Sequence, residues 1–433
     1  MINRIVLIGN GFDLAHGMKT GYRDFINSYW SQVNFQLYQT DGHYSSDDFS
    51  ISYHYRYVKD DIFEVARNSD LYLSNEYINN DSFDMEKKTL SVNNSFIFQI
   101  SKKSFENWVD IENEYYDILL ELISKNHSTK YDIQKINLDL EKVKNSLTKY
   151  LKTHQEEFKH SSKIINHIKY IFKQPYSIND LSQQSKQILY QEKWEKFRDM
   201  ATSEMNRLGP YLTLGENLDN GEKYLKDLLT SQVYDEQSFY RLLDQHRDNI
   251  FLGDIDFCDF LSFNYTSTEN NYKDFLDFNT IHIHGQLGND DNPIIFGYGD
   301  ELDDHYPQIE KLNDNDFLEN MKSIHYSKTN NYKKLLNLLE SGVFQVYVMG
   351  HSCGNSDRTL LNTIFEHDNC ASIKIFYYQQ SETKDNYLDI YKNISRNFND
   401  KTKLRDRVVN KQFCEPLVPI KTQKEAQYDL QYP

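Results

Sequence analysis

The sequence predicts an α/β protein built on a Rossmann-like, doubly wound parallel sheet, with a large, mainly helical insertion after the first strand. Three observations predict it. Residues 4–8 form a β-prone run, apolar from Ile5 onward, that stops abruptly at Gly9-Asn10-Gly11. Such a run suits a strand buried on both faces of a parallel sheet. Strand-like runs then return only after about residue 255, where they alternate with helical pattern, as α/β order requires. Between them the pattern is helical, so the first strand has no partner nearby and is expected to join the C-terminal sheet. The expected sheet domain is therefore discontinuous, comprising residues 1–27 and 250–400. Residues 28–249 would be the insertion and residues 401–433 a C-terminal tail.

Each element has its own local reason. Residues 12–25 mix helix formers with Gly17 and Gly21, while residues 40–100 are polar, rich in Tyr, Asn, Ser and Asp, and resist assignment. Residues 104–125 read as a helix. Residues 131–160 give the clearest one: Ile133, Ile136, Leu140, Val143, Leu147 and Leu151 make a single apolar stripe on a 3.6-residue period. Further helices are expected at 184–208, 221–248 and 315–340, with Pro175 and Gly209-Pro210 as punctuation. Strands are expected at 257–263, 280–284, 293–296, 343–349 and 372–378. No internal repeat is visible.

Composition limits the function classes. The chain has 433 residues and holds 33 Tyr, 26 Phe and 3 Trp, enough aromatic surface for a sizeable core and too much for a disordered chain. The net charge of −17 disfavours nucleic acid and anionic membranes as partners. Residues 151–200 carry nine Lys/Arg against six Asp/Glu, a mild excess that reads as a solvated helix face. Cys258, Cys353, Cys370 and Cys414 show no CxxC spacing, so neither a zinc ribbon nor a redox pair is signalled, and a reducing cytoplasm is the expected location. The N-terminal apolar run is far shorter than the roughly 7–15 residues of a secretory core or the roughly 20 of a membrane span.

Five segments can carry chemistry. In Gly9-Asn10-Gly11-Phe12-Asp13, a strand running into Gly-x-Gly lets backbone N–H groups approach a phosphate, with a ligand-free tight turn as the alternative. The third glycine of the usual fingerprint is missing from its place. Asn264 follows a strand in Leu261-Ser262-Phe263-Asn264-Tyr265-Thr266, where its amide could orient a water or a sugar hydroxyl, or simply start a turn. His282 and His284 share one strand face, and His284 beside Gly285 is the better general-base candidate, with His282 expected as a hydrogen-bonded core residue. The loop Gly350-His351-Ser352 closes another apolar strand, and Asp357 beyond it would either line the crevice or cap a helix. His351 and Cys353 are expected to be exposed in that loop. Asp110 and Glu114 stand i,i+4 on a helix with Glu112 facing elsewhere, either as dipole-favouring charge or as acids reaching the crevice. No metal site is predicted.

Taken together, residues 7–17, the segment Trp108-Val109-Asp110-Ile111-Glu112 and the loop Gly350-His351-Ser352 resemble the AbiH family of bacterial phage abortive-infection proteins. A broader likeness is to sirtuin-type NAD-binding domains, whose opening Gly-Ala-Gly with a later Gly resembles Gly9-Asn10-Gly11 and Gly17. Their Asn-Ile-Asp resembles Asn264-Tyr265-Thr266, and their His-Gly resembles His284-Gly285. Thr266 stands where sirtuins carry an Asp, and their paired CxxC zinc module is absent, which counts against protein deacylation. The resemblance implies an antiphage protein that hydrolyses the N-glycosidic bond of NAD or a related nucleotide. Asn264 and His284 would be catalytic. Gly9, Asn10, Gly11, Asp13, Gly17, Gly350, Ser352 and Asp357 would bind the nucleotide, with Asp110 and Glu112 as accessory acids. Partners would be the nucleotide, a second copy or a defence-system protein, and a phage-derived trigger. The alternatives are a non-catalytic nucleotide-binding sensor module and a metal-dependent nuclease.

Overall fold

The computed structural model describes residues 2–40, 43–53, 83–85, 88–106, 110–124, 132–208, 236–245 and 255–431. Trp108, Val109, Gly209-Pro210 and most of the helix expected at 221–248 lie outside them, as does part of the 40–100 region. The chain opens with β1 (Ile2–Ile8), α1 (Asn10–His16) and α2 (Tyr22–Gln39). A small antiparallel sheet follows: β2 (His43–Ser45), β3 (Phe49–Tyr53), β4 (Phe83–Met85) and β5 (Lys88–Val92), in the order β2-β3-β5-β4. Next come α3 (Ser95–Glu106), α4 (Ile111–Ser124), α5 (Ile133–Glu157), α6 (Ser162–Lys173), α7 (Gln183–Leu208) and α8 (Glu236–Gln245). The second half holds β6 (Ile255–Ser262), β7 (Thr280–His282), α9 (Tyr306–Lys311), α10 (Lys322–His325), α11 (Asn331–Glu340) and β8 (Phe344–Met349). It ends with α12 (Arg358–Phe365), β9 (Cys370–Phe376), α13 (Tyr387–Asn397), α14 (Lys401–Arg407) and α15 (Ile420–Gln431).

The main sheet has five strands in the order β7-β6-β1-β8-β9, and every pairing is parallel. Counting only its own strands along the chain, that is the 3-2-1-4-5 order of a doubly wound sheet, which reverses direction between β1 and β8. The expected fold class holds, and the first strand does take its partners from the second half of the chain. All seven residues of β1 are buried. Strand alternation sends Ile5 and Leu7 into one layer with Val346, Val348, Ile373 and Ile375, beneath α11, α12 and α13. Val6 and Ile8 enter the opposite layer with Phe260, Tyr347 and Met349, against Ile164, Ile168 and Ile171 of α6. A third core joins α2 through α5, centred on Trp30, Phe96, Tyr115, Leu119 and Leu140, and reaches Phe296 and Met321 of the second half.

Several expected elements differ. The run expected as one helix over 104–125 is divided between α3 and α4, because Asp110 starts a new helix by accepting the N–H groups of Glu112 (3.1 Å) and Asn113 (3.3 Å). Residues 293–296 make no strand. Ile295 and Phe296 are buried, but the segment folds back so that the Ile295 N–H reaches the His284 carbonyl at 2.8 Å. An apolar run therefore marks burial there, not a ladder. The stretch 315–340 breaks into short turns before α11. Residues expected as a tail pack onto the sheet layers through Leu404, Val408, Leu417, Val418 and Ala426.

Arg4 is fully buried in β1. Its guanidinium donates to the carbonyls of Phe172 (3.0 Å) and Gln174 (2.9 Å) and lies 4.0 Å from the centre of the Tyr347 ring. It thus satisfies carbonyls at the C-terminal end of α6, where a cation is also favoured by the helix dipole. Arg4→Met should lower stability by about 3 kcal/mol, because those buried carbonyls lose a charged donor. Urea unfolding followed by circular dichroism checks this, and a change below about 0.5 kcal/mol would show that the contacts are replaced by water.

Candidate functional site

The site lies where the strands of the main sheet end. Ser262 of β6 pairs with His282 of β7, so Asn264 and His284 each leave the sheet two residues beyond a matched pair. Ile8 of β1 pairs with Met349 of β8, so the turn at Gly9 lies beside the one at Gly350. These two turns touch through their backbones. The Gly11 N–H donates to the Gly350 carbonyl at 2.7 Å, and the Gly9 N–H reaches the Met349 carbonyl at 3.4 Å. A Cβ at Gly11 would come within 2.7 Å of the Gly350 oxygen, and one at Gly9 within 2.7 Å of the His351 Cα. Gly350 has φ +76°, and a Cβ there would lie 2.0 Å from the Phe12 nitrogen. The glycines are therefore required by the approach of one loop to another. The Gly11 amide, expected to meet a phosphate, is used within the chain.

The rest of the glycine-loop set divides. Gly17 serves as the C-cap of α1. Asn10 is exposed and accepts the Thr20 hydroxyl at 2.6 Å. Ser352 is exposed and engages Asn393 through its carbonyl. Asp13 is buried and gathers the loop after β6. Its carboxylate accepts the Asn264 amide (3.2 Å) and the hydroxyls of Thr266 (2.6 Å) and Thr268 (2.6 Å). Burial pushes its pKa up to about 6, even against those donors. The bond to Asp13 fixes which way the Asn264 amide points. His282 behaves as expected, buried between the Asn264 carbonyl (3.3 Å) and Glu269 (3.1 Å).

A second cluster surrounds Asp357. This residue occupies the N-cap position of α12, but its side chain makes no cap bond. Instead Oδ1 meets Lys322 Nζ (2.9 Å) and His284 Nε2 (3.2 Å), and Oδ2 meets His351 Nε2 (3.4 Å). His351 is buried, not exposed, and its Nδ1 accepts the Cys353 N–H at 2.9 Å. That bond fixes its tautomer, with the proton on Nε2 facing Asp357. Cys353 is also buried, and burial pushes its thiol well up, so it has no character of a reactive thiolate.

His284 is 3% exposed, lies edge-on to Phe263 and shares its Nε2 with the Tyr326 hydroxyl at 3.2 Å. Burial and the nearby Lys322 cation lower its pKa to about 4, so the ring is neutral near pH 7. With Nε2–H turned to Asp357, the lone pair is on Nδ1. Lys322 itself is 1% exposed and joins Asp357 to Glu112 Oε2 at 2.7 Å. The other Glu112 oxygen accepts the Gly297 N–H at 3.2 Å. Burial pushes Glu112 up and Lys322 pulls it back, leaving it at about 8. Burial likewise raises Asp357, but Lys322 and the two histidines overcome it and hold Asp357 ionised, well below the usual range. Asp110 is spent on capping α4, and Glu114 pairs with Lys103.

The structure thus brings Glu112, His284 and Asp357 into one cluster, and Asp13 and Asn264 into another. His351 of the second cluster lies against Gly9 of the first glycine turn. Lys322, Thr268 and Tyr326 carried no signal in sequence, and His351 was placed on the surface by its loop composition. The sequence profile described as bacteriophage abortive infection AbiH matches residues 5–379.

The chain belongs to the AbiH family. Its role is in antiphage abortive infection. The match runs from Ile5 within β1 through β9, so every residue of both clusters lies inside the AbiH region. No curated protein and no solved structure matches the chain. No helix among the described residues of this AbiH chain is long and apolar enough to cross a membrane.

Two outcomes follow from the geometry. Gly350→Ala should cost at least about 3 kcal/mol, since its Cβ would collide with backbone in a disfavoured φ region; a thermal melt unchanged within a few degrees would show that the two loops can part. Asp13 has a folded pKa raised above its unfolded value of about 3.9, so its contribution is present below pH 4 and is lost as the pH rises through 6. Asp13→Asn should remove that pH dependence, a difference of about 2–3 kcal/mol between pH 4 and pH 7 in unfolding titrations. Parallel wild-type and variant profiles would mean that Asp13 titrates normally.

Proposed function

We propose that this chain acts in abortive infection by hydrolysing the N-glycosidic bond of NAD or a related nucleotide. The observation that carries the reading is the His284–Asp357 pair at the carboxyl edge of a doubly wound sheet, next to Asn264. Ligands of such sheets bind at this edge, beside the point where strand order reverses. A neutral histidine whose tautomer is held by a buried carboxylate keeps a ring lone pair open to receive a proton.

The reaction balances without a further reagent. The bond between the anomeric carbon and the base nitrogen breaks, and both electrons leave with the base, which departs neutral when it was a cationic nicotinamide. A water oxygen bonds to the anomeric carbon and its proton passes to His284 Nδ1. The Oδ1 of Asn264 would accept a hydrogen bond from the water's other O–H, which stays on the product, and hold the water in line, which saves orientation entropy. The pyrophosphate would rest on the loops at Gly9–Gly11 and Gly350, once the Gly11–Gly350 contact parts to release the Gly11 amide. Removal of a shared metabolite accounts for arrest of an infected cell without a protein target.

That closed glycine contact favours a second reading: the crevice binds a nucleotide without cleaving it, and opening of the loops reports the binding. The two readings separate in one experiment. Purified protein incubated with NAD should consume it, and an Asn264→Ala/His284→Ala double variant should be slower by about 10²–10⁴-fold. Calorimetric binding of NAD without turnover would decide for the sensor. Stable NAD in phage-infected cells, with protection intact in the double variant, would overturn the hydrolase.

A further inference from the structure

Lys322 lies outside the five segments singled out for chemistry, yet it is the most buried charge of the Asp357 cluster. Its ammonium bonds Glu112 at 2.7 Å and Asp357 at 2.9 Å, and Asp357 in turn faces His284 at 3.2 Å and His351 at 3.4 Å. Glu112 comes from α4, Lys322 starts α10, and Asp357 precedes α12. A single cation therefore joins the helical half of the chain to the edge of the sheet.

We propose that Lys322, held in place by Glu112, is the positioning residue that sets the protonation and tautomer of His284 through Asp357. The inference deepens the hydrolase reading, since it names what prepares its base, but its test needs no turnover. Two carboxylates converge on one buried cation. If both were ionised with His284 neutral, the cluster would carry an excess negative charge in a dry site, which is costly unless a proton is taken up. Either Glu112 or His284 must hold that proton. A cation 2.9 Å from Asp357, and therefore close to His284, repels a proton from the imidazole. Burial acts in the same direction, and the excess proton falls to Glu112, which is farther from the histidine and closer to Asp110. The groups facing His284 are Asp357 and His351 from the β8 side and Lys322 and Tyr326 from the α10 side. Glu112 and Asp110 act from α4 through Lys322. Lys322 is the one group among these that is a permanent cation at neutral pH. Its loss would leave Asp357 free to draw a proton onto His284, and an imidazolium cannot serve as a base.

The experiment is a histidine-selective ¹⁵N NMR titration of the full chain, with the His284 signal assigned by its loss in His284→Gln. In wild type the His284 ring should stay neutral, in one tautomer, down to below pH 5. In Lys322→Met its titration should move up by at least one pH unit, towards or above neutrality. In Glu112→Gln, which keeps the cation and removes one carboxylate, it should stay at the wild-type position or move lower. A general loosening of the site would move both variants the same way. An unchanged titration in Lys322→Met, or an upward shift in Glu112→Gln, overturns the assignment. If Lys322→Met does not fold, the wild-type titration still decides, because a His284 midpoint at or above 6.5 contradicts a repelling cation beside it. Failure to consume NAD would leave these shifts untouched, so the positioning role and the hydrolase reading fail separately.

Discussion

Everything in this structure depends on the pairing of β1 in the middle of the main sheet. Its seven residues are buried, and both of its edges are occupied by strands from the far half of the chain, β6 and β8. Closing a loop of more than 200 residues costs only logarithmically more than closing a short one, so such an insertion is thermodynamically tolerable. The return comes from burying a continuous apolar strand between two layers. Because β1 is central, the turn that leaves it lies at the reversal of strand order, beside the turn that leaves β8. The meeting of Gly9 and Gly11 with Gly350 and His351 follows from that register, and with it the placing of both polar clusters.

The helical half is a structural partner of the sheet, not an appendage. α6 covers one face with Ile164, Ile168 and Ile171, and its last carbonyls are held by Arg4 of β1. The core of α2 through α5 continues into Phe296, Phe317 and Met321 of the second half. At that boundary α4 sends Glu112 to Lys322. Glu112, Lys322, Asp357 and His284 thus form one chain of contacts from the helical layer to the sheet edge.

Charge balance explains why the two clusters differ. Around Asp13 the donors are neutral hydroxyls and an amide, so burial dominates and the carboxyl is pushed up to about 6. Around Asp357 the donors include a buried ammonium, so the carboxyl remains ionised in an equally dry place. Identical side chains thus take opposite roles, one tying α1 to the loop after β6, the other orienting two histidines. The largest part of the chemical difference comes from Lys322, with the two histidines adding to it.

Local pattern decided the strand at β1, the long amphipathic α5, the Gly-x-Gly turn and the positions of Asn264 and His284 at strand ends, because each of these is dictated by short-range periodicity or by the chain's stopping at glycine. It also marked Glu112 and Asp357 as acids worth placing. Only the tertiary structure decided what those residues meet. The same apolar signal served β8, which pairs, and residues 293–296, which do not, since burial alone does not specify a ladder. Asp110 became a cap and Glu112 a ligand of Lys322, although they are two residues apart, because helix geometry turns them to different sides. His351 became a buried partner of Asp357 because the loop after β8 is pressed against Gly9. Lys322 had no motif to announce it, since its burial is defined by two carboxylates that arrive from distant parts of the chain.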